Sequence, residues 1–285
     1  AHLQAAIDDP DEQVRRIGVI AGARGPVTEE HARRLLADGS VLVRHAVASR
    51  LGVKLPALAD AALADAHVNV RAAALDALGE TRACRAACEA LLEKPGAYDS
   101  SWHDAAHALV ALARTDPDRA RSHVGRAATA ATWQVRMYAA RAAAHTRQAD
   151  VISTLASDGN VNVRHAALVA WRESGLPDLA AAALDALKGD DGQLVLEAAR
   201  SLAAAPVPAE VVAALRTTLA RLTALRRDTS RDPRVALIEL IAERDPDRDS
   251  ALRPYLADFD PFIAARVAAL LNVAVPAATA AALPT

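Results

Sequence analysis

Residues 161–168 are VNVRHAAL, and residues 68–75, which begin 93 positions earlier, are VNVRAAAL. A near-copy at this distance indicates an internal repeat, because repeat units that pack on like neighbours are constrained in the same way along the chain. The match extends to DAHVNVRAAALDAL at 65–78 and DGNVNVRHAALVAW at 158–171. Both stretches share an aspartate, an arginine and a run of small apolar residues.

The arginine of VNVR serves as an anchor for the repeat along the whole chain. Requiring an apolar helical pattern after it gives nine units, spaced 27 to 38 residues apart. The anchor positions are Arg15, Arg44, Arg71, Ala105, Arg136, Arg164, Leu196, Arg234 and Ala264. Six residues before the anchor, eight of the nine units have aspartate, at Asp9, Asp38, Asp65, Asp99, Asp158, Asp190, Asp228 and Asp258. The two columns define one register.

Each unit predicts a first helix, a tight turn that contains the aspartate, and a second helix. Four residues before the anchor, eight units have a residue that is common at helix N-caps. The nine residues in this column are Asp11, Ser40, His67, Ser101, Thr132, Asn160, Gly192, Ser230 and Asp260. The pairs Asp38-Gly39 and Asp158-Gly159 predict a turn residue at positive φ.

Composition supports an all-α chain. Of 285 residues, 52% are apolar but only 3% are aromatic, and alanine dominates. Alanine, leucine, arginine and glutamate favour helices, and runs of β-branched residues typical of strands are missing. The formal charge of −2 argues against a general polyanion binder and against an anchor on anionic membranes. No apolar stretch has the length of a membrane-spanning helix.

The pattern D-x-x-x-x-V-R-x-A-A-x-x-A-L resembles HEAT repeats, in particular the short, alanine-rich bacterial kind also called PBS-lyase repeats. The resemblance covers nearly the whole chain and implies an armadillo-like α-solenoid, a right-handed superhelix of about nine helical hairpins. In that family, aspartate and arginine form a hydrogen-bonded ladder along the turns. We therefore expect this ladder at Asp38/Arg44, Asp65/Arg71 and Asp158/Arg164, and extend it to Asp9, Arg15, Asp228 and Arg234.

The repeat array is predicted to span residues 1–274. Residues 275–285 are rich in alanine and proline without a periodic face, which is typical of a linker. The first unit has a short first helix, so we expect the chain to be one domain of a larger multidomain polypeptide. The cellular compartment is left open, with the cytoplasm favoured.

A partner protein or peptide is expected on the concave face, which the second helices of a solenoid line. Residues one, five or eight positions after the anchor are predicted to face inward. These candidates are Arg16, His45, Asp76, Met137, Arg141, His165 and Arg172. Their mixture of charged and apolar side chains is typical of a protein-binding surface.

The spacing C-x3-C-x14-H-x3-H, formed by Cys84, Cys88, His103 and His107, is similar to a zinc pattern. In an antiparallel hairpin, however, Cys84 lies roughly 14 Å from the turn beside which His103 stands, at ~1.5 Å per residue. We therefore predict no metal site and treat these residues as packing. No catalytic motif is present in the sequence, so we predict no cofactor and a protein that is not an enzyme.

Three functions are compatible with the repeat. A non-catalytic interaction scaffold is favoured. DNA binding of the alkylpurine DNA glycosylase type is the alternative, although that class presents a basic concave surface. A chromophore lyase or chaperone of the phycobilisome type rests on repeat similarity alone, which is a weak argument for chemistry. Whether the arginine-rich segment from Arg216 to Arg234 binds phosphate is left open.

Overall fold

Helices occupy most of the chain. The computed structural model describes residues 2–22, 28–51, 58–79, 84–99, 102–176, 180–204 and 209–274, and these residues form helices and turns without a strand. The predicted linker 275–285 and the predicted cap Ser101 lie outside them. No helix in this part of the chain is long and apolar enough to span a membrane. The chain divides into two compact units, each of which contains several repeats: unit 1, Ala1–Val151, and unit 2, Ile152–Thr285.

The described residues of unit 1 form five successive helix pairs. Their bounds are α1 His2–Ile7, α2 Glu12–Gly22, α3 Glu29–Leu36, α4 Val41–Leu51, α5 Ala59–Leu63, α6 Val68–Leu78, α7 Arg85–Leu92, α8 Trp102–Thr115, α9 Pro117–Ala128 and α10 Trp133–Thr146. The two helices of each pair pack together, and each second helix also packs on the second helices before and after it. The second helices α2, α4, α6, α8 and α10 therefore form a continuous layer.

Unit 2 repeats this arrangement. Helix α11, Ala149–Ala156, contains the division between the units. The helices that follow are α12 Val161–Ser174, α13 Ala180–Leu187, α14 Gly192–Ala203, α15 Ala209–Ala224, α16 Arg231–Arg244, α17 Arg248–Leu252 and α18 Pro261–Leu271. The second helices α12, α14, α16 and α18 pack on one another in chain order.

Capping side chains explain where the second helices begin. His67, Asn160 and Asp260 each accept a hydrogen bond from the backbone N–H two residues later. The prediction of Gly192 as the cap of α14 is wrong. Asp191 caps this helix by accepting from the Leu194 N–H at 2.8 Å, so α14 begins one residue earlier than the register predicts.

The turn between the paired helices does not need positive φ. The prediction for Gly39 and Gly159 is wrong, because neither is among the described residues with positive φ. The aspartate carboxylate closes the turn instead: Asp38 accepts from the Ser40 N–H and Asp158 from the Asn160 N–H, each at 2.8 Å. Any residue with a negative φ can therefore follow the aspartate in this turn.

Each unit has a core of small and medium apolar residues. In unit 1, Ile7, Val19, Leu35, Val43 and Val47 form one buried cluster across the first two helix pairs. Close packing of the second helices requires small side chains. A Cβ added to Gly79 at the end of α6 would lie 3.0 Å from the Ala111 Cα of α8. This close approach explains the dominance of alanine over aromatic residues.

Arginines at the anchor position join consecutive turns. Arg15 donates from Nη1 to the Asp9 main-chain oxygen at 2.9 Å, and from Nε and Nη2 to the Asp38 carboxylate at 2.8 and 3.0 Å. Arg44 makes the same contacts with the main chain of Asp38 and the carboxylate of Asp65. Each guanidinium thus binds the main chain of its own turn and the carboxylate of the next repeat, rather than the carboxylate of its own turn.

The arginine contacts adapt where the repeat is irregular. Arg71 binds the Asp65 main-chain oxygen, but its carboxylate partner is Asp104, at 3.0 Å, on the helix after the longer turn of the fourth repeat. Arg164 binds the main chain of its own turn, at the Asp158 and Gly159 oxygens.

Arg234 is the most deeply buried arginine of the part of unit 2 that the structure describes. Its side chain is 0% exposed and binds both Asp258 carboxylate oxygens at 2.9 Å. Its guanidinium carbon lies 4.5 Å from the centre of the Phe259 ring. Asp228 is the aspartate expected to form the ladder with Arg234, but it begins a 3-10 turn. The carboxylate partner of Arg234 is Asp258, which belongs to the next repeat.

The contacts between repeats lower the pKa of their carboxyl groups. The Arg15 guanidinium, helped by the Ser40 N–H, holds the pKa of Asp38 below its ordinary value against the opposing effect of burial. Burial alone would raise the pKa of Asp65, but Arg44 and the His67 N–H outweigh it and lower the pKa. Both groups therefore stabilise the folded state in their ionised form.

Asp38→Asn is expected to lower the free energy of unfolding near neutral pH and to do so less as the solution becomes acidic. The folded pKa of Asp38 lies below the unfolded value of about 3.9, so its contribution is complete above that value and is lost as pH falls through the folded pKa. Urea denaturation of both proteins at a series of pH values measures the difference. A difference that stays constant down to the acid limit would contradict this assignment.

Arg234→Ala is expected to destabilise unit 2 by about 3–5 kcal/mol, because it leaves Asp258 buried without its cation. Lys188→Ala is the matched control, since the Lys188–Asp185 pair is 76% exposed on both sides and such pairs contribute little. Chemical denaturation followed by far-UV circular dichroism compares the two variants. Equal effects of the two substitutions would show that burial of Arg234 has no energetic consequence.

Candidate partner-binding surface

A groove of about 580 Å³ runs across the second helices α4, α6 and α8 of unit 1. The alanines Ala72, Ala73 and Ala77 of α6 contribute its apolar part. Its polar part comes from all three helices, namely His45, Ser49, Asn69, Asp76, His107 and Arg114. We call this set of residues the α6 groove. Small side chains at repeat positions explain the space, because three of the five residues that α6 contributes to the groove are alanines.

Two of the seven predicted contact residues, His45 and Asp76, line the α6 groove. Both are exposed. Of the other three in unit 1, Arg16 is exposed, and its Nη1 lies 3.5 Å from the Gln13 Oε1. Met137 is half-buried, and Arg141 is exposed on α10. None of these three lines the groove.

The remaining two predicted contact residues lie in unit 2. Both His165 and Arg172 are half-buried on α12. Arg172 donates from Nε to the buried Glu197 carboxylate of α14 at 2.8 Å. This ion pair holds Arg172 against its own unit, so its guanidinium is committed to packing between repeats.

Asn69, His107 and Arg114 belong to the groove but are missing from the predicted set. Asn69 lies three residues before Ala72, so it shares the helix face of the predicted positions one and five after the anchor. Extending that face towards the helix N-terminus would have identified it. His107 and Arg114 lie two and nine residues after the anchor position Ala105, so they fall outside the predicted positions one, five and eight.

Asp76, His107 and Tyr138 form a hydrogen-bonded chain across three second helices. The Asp76 carboxylate lies 2.7 Å from His107 Nδ1, and the Tyr138 hydroxyl lies 2.9 Å from His107 Nε2. An ionised carboxylate only accepts, so it places a proton on Nδ1, and Nε2 then accepts from the Tyr138 hydroxyl. Arg141 covers the Tyr138 ring, with its guanidinium carbon 4.8 Å from the ring centre.

The Tyr138 end of this chain is suited to hydrogen bonding rather than to nucleophilic attack. Burial raises the pKa of Tyr138, and the nearby Arg141 offsets only part of that effect. The phenol therefore stays protonated at neutral pH. The hydrogen bonds to Asp76 and Tyr138 fix His107 in one orientation at the wall of the α6 groove. The Asp76 side chain is still 59% exposed.

The four residues with zinc-like spacing lie in different environments. Cys84 and Cys88 are buried, and hydrogen bonding to Cys84 together with burial raises the pKa of Cys88, so that it stays a thiol. His103 stacks on Trp102, with ring centres 3.9 Å apart, while His107 belongs to the chain described above. Within the described ranges, no three His, Cys, Asp or Glu side chains are grouped as metal ligands.

The arginine-rich segment of unit 2 is largely engaged in ion pairs and ring contacts. Arg216 pairs with Asp245, Arg221 with Asp190, and Arg231 with Asp260. Arg226 covers the Phe259 ring, and Arg234 is buried as described above. These contacts neutralise most of the charge that phosphate would otherwise meet.

Replacing His107 by alanine is expected to destabilise unit 1 by about 1–3 kcal/mol, because it removes two hydrogen bonds and leaves the half-buried Tyr138 hydroxyl unpaired. Ser122→Ala on α9 is the control and is expected to change stability by less than about 0.5 kcal/mol, since Ser122 is exposed. Thermal and urea unfolding measure both. A double-mutant cycle with Tyr138→Phe should give a non-zero coupling energy, and additivity would exclude the hydrogen-bonded chain.

Comparison with known proteins identifies the fold. No protein-family model and no curated protein matches the sequence. Among solved structures, the Escherichia coli protein YibA matches with a TM-score of 0.58 and 17% identity, over 90% of this chain and 96% of that one. Kap121p, a HEAT-type importin, matches in its complex with Pho4p with a TM-score of 0.54 and 14% identity. That match covers 97% of this chain but 38% of Kap121p. The chain is an all-α solenoid of the helical-repeat type.

Proposed function

We propose that this chain is a non-catalytic scaffold that binds a protein or peptide on its second helices, with the α6 groove as the contact site in unit 1. The observation that carries the proposal is the groove itself. An apolar alanine floor lies beside ionisable and hydrogen-bonding side chains from three successive repeats. Protein interfaces combine an apolar centre with a polar rim in the same way.

The side chains around the groove are suited to an extended segment rather than to a small molecule. The groove is shared by helices from three repeats, so an occupant contacts each repeat in turn. Asp76 offers an exposed carboxylate for a basic or hydrogen-bonding group, and His107 is oriented beside it. The alanine floor accommodates apolar side chains of the occupant. This arrangement resembles the extended binding surfaces that solenoids form.

Two further lines support the scaffold proposal. Kap121p, which shares the fold, was solved bound to the protein Pho4p, and we extend the capacity to bind a protein partner to this chain. The paired arginines of unit 2 and the formal charge of −2 leave DNA binding with little cationic surface to use. We also propose that the repeats belong to the short bacterial HEAT-like kind, on the strength of the D-x-x-x-x-V-R pattern.

Ala72→Glu is expected to weaken peptide binding at the α6 groove by tenfold or more, about 1.4 kcal/mol. The new carboxylate would stand on the apolar floor, and because Ala72 is only half-buried, the fold should be retained. The measurement is fluorescence polarisation with peptides selected from a displayed random library against the purified chain.

Ser122→Glu is the matched control, because Ser122 is exposed on the first helix α9. Its affinity for the selected peptides should equal that of the parent chain. Peptides that bind Ala72→Glu as tightly as the parent would place the contact site elsewhere. Binding of labelled duplex DNA at low salt, at an affinity higher than that for any selected peptide, would favour nucleic acid as the partner.

A further inference from the structure

Unit 2 exposes an aromatic ring at the start of α18. Phe262 is 53% exposed. It stands two residues before the anchor position Ala264, where several earlier repeats have polar residues such as Asn69 and Asn162. A polar side chain therefore meets the needs of the repeat at this position. The ring of Phe262 has to be explained by something other than packing between repeats.

A second aromatic residue lies in the turn before α18. Phe259 directly follows the turn aspartate, at the position of Gly39 and Gly159 in earlier repeats. The centre of its ring lies 4.7 Å from the guanidinium carbon of Arg226 and 4.5 Å from that of Arg234. Because a guanidinium is attracted to the face of an aromatic ring, Phe259 fixes the position of Arg226 beside the start of α18.

The backbone also restricts Arg226. Its φ is 49°, in the left-handed region that glycine adopts more easily, as Gly175 does after α12 with φ of 60°. Its N–H donates to the Thr223 oxygen at 3.1 Å at the end of α15. An arginine that is held by its backbone and by a ring has few rotamers to lose. A partner that binds it therefore costs little side-chain entropy.

Two arginines beside these rings have no acidic partner. Arg226 and the adjacent Arg227 are both exposed. Among the described residues of unit 2, neither forms an ion pair, whereas Arg216 and Arg221 of the same segment do. The guanidinium groups of Arg226 and Arg227 are therefore the charges of this segment that a partner can neutralise.

The charge next to Phe262 is different. The guanidinium carbon of Arg231 lies 5.8 Å from the centre of the Phe262 ring, and its Nε donates to the Asp260 carboxylate at 2.6 Å. Asp260, followed by the exposed Asp228 and Asp232, raises the pKa of Arg231. Arg231 is thus surrounded by acidic groups and offers no net positive charge to an anion.

We propose that Arg226, Arg227, Phe259 and Phe262, which we call the α18 patch, bind a protein segment that has a carboxylate next to an aromatic or aliphatic side chain. The carboxylate would accept hydrogen bonds from Arg226 and Arg227, and the apolar side chain would cover the ring of Phe262. Three residues span at most ~11 Å, so Phe259 and Phe262 are close enough for one short segment to contact both parts of the patch.

The composition of the α18 patch supports a protein partner. Arginine and aromatic residues are enriched at the centres of protein interfaces and among their hot spots. Charge complementarity selects an acidic segment, because an uncharged one would cover Arg226 and Arg227 without supplying an acceptor. The α18 patch lies in unit 2, so this proposal does not depend on the α6 groove.

A single carboxylate fits the α18 patch better than a polyanion does. Binding of nucleic acid relies on neutralising several phosphates in a row. Here only Arg226 and Arg227 lack an acidic partner among the described residues of the arginine-rich segment. The exposed carboxylates of Asp228 and Asp232 would repel further phosphates.

A displayed library of random peptides tests the proposal. Peptides that bind the purified chain are retained, and those that also bind its Phe262→Ser variant are removed. We expect the retained sequences to be enriched in aspartate or glutamate beside an aromatic or aliphatic residue. One retained peptide, labelled with fluorescein, is then titrated with the chain. Arg226→Gly should weaken its binding by tenfold or more, while glycine suits the positive φ and preserves the fold.

Matched controls come from the same unit. Arg200 is exposed on α14, and Val273 is 38% exposed after α18. Arg200→Gln and Val273→Ser remove one charge and one exposed apolar side chain outside the patch, so neither should change the affinity for the labelled peptide. Circular dichroism and urea denaturation establish that every variant is folded.

Changing the peptide identifies the role of its carboxylate. Replacing its aspartate or glutamate by the corresponding amide should weaken binding to the parent chain. The same change should have much less effect on binding to a chain with both Arg226→Gly and Arg227→Gln, because the interaction is already lost. Equal effects on the two chains would overturn the proposal.

The remaining outcomes concern other occupants. The proposal is overturned if no peptide distinguishes the parent chain from Phe262→Ser, or if the retained peptides lack acidic residues. Tighter binding of labelled single-stranded oligothymidylate, weakened by Phe262→Ser, would identify nucleic acid as the partner instead. A dimer in sedimentation experiments that Phe262→Ser dissociates would identify a second copy of the chain, which would likewise overturn the proposal.

Discussion

The arrangement of the repeats in unit 1 depends on arginine side chains whose guanidinium groups each bind two consecutive turns. Arg15 and Arg44 bind the main-chain oxygen of their own turn and the carboxylate of the next. The first contact fixes the second helix to its turn, and the second fixes the distance to the following repeat. Because Nε and Nη2 meet both carboxylate oxygens, orientation is set as well as distance, which a lysine could not achieve.

That fixed distance has a consequence for packing. Helices held in register approach closely only where their contact residues are small, as at Gly79 and Ala111. The same requirement puts methyl groups on α6, where Ala72, Ala73 and Ala77 border the α6 groove. The cohesion of the repeats and the proposed binding surface therefore have a common origin, because the small residues of the second helices also leave the space of the α6 groove.

Sequence reasoning succeeded where one residue type performs one local role. The anchor column predicted the starts of α4, α6 and α12, because a cap and a turn carboxylate act within six residues of it. It failed at α14, where adjacent aspartates offer two caps and Asp191 takes the role. It also failed at Gly39, because carboxylate closure of the turn made a special φ unnecessary.

The α6 groove was harder to predict from the sequence than the fold, for a related reason. The groove joins side chains from three helices. The predicted positions one, five and eight after the anchor include His45 and Asp76, but not His107, which lies two residues after Ala105. Arg71 likewise pairs with Asp104 on α8, and not with an aspartate at the turn position, as Arg15 and Arg44 do. Contacts of this kind follow from packing between repeats, which a pattern within one repeat does not contain.

Positions that the repeat uses for stacking are distinct from those that it leaves available. Arg44 and Asp65 pair with each other between repeats, and Val70 is buried, so all three have little surface for a partner. His45 and Asp76 are exposed and line the α6 groove, where we propose that a partner binds. A repeat protein can therefore change what it binds without changing how its repeats pack on one another. Specificity is expected to reside in exposed positions such as His45 and Asp76 rather than in the motif that identifies the fold.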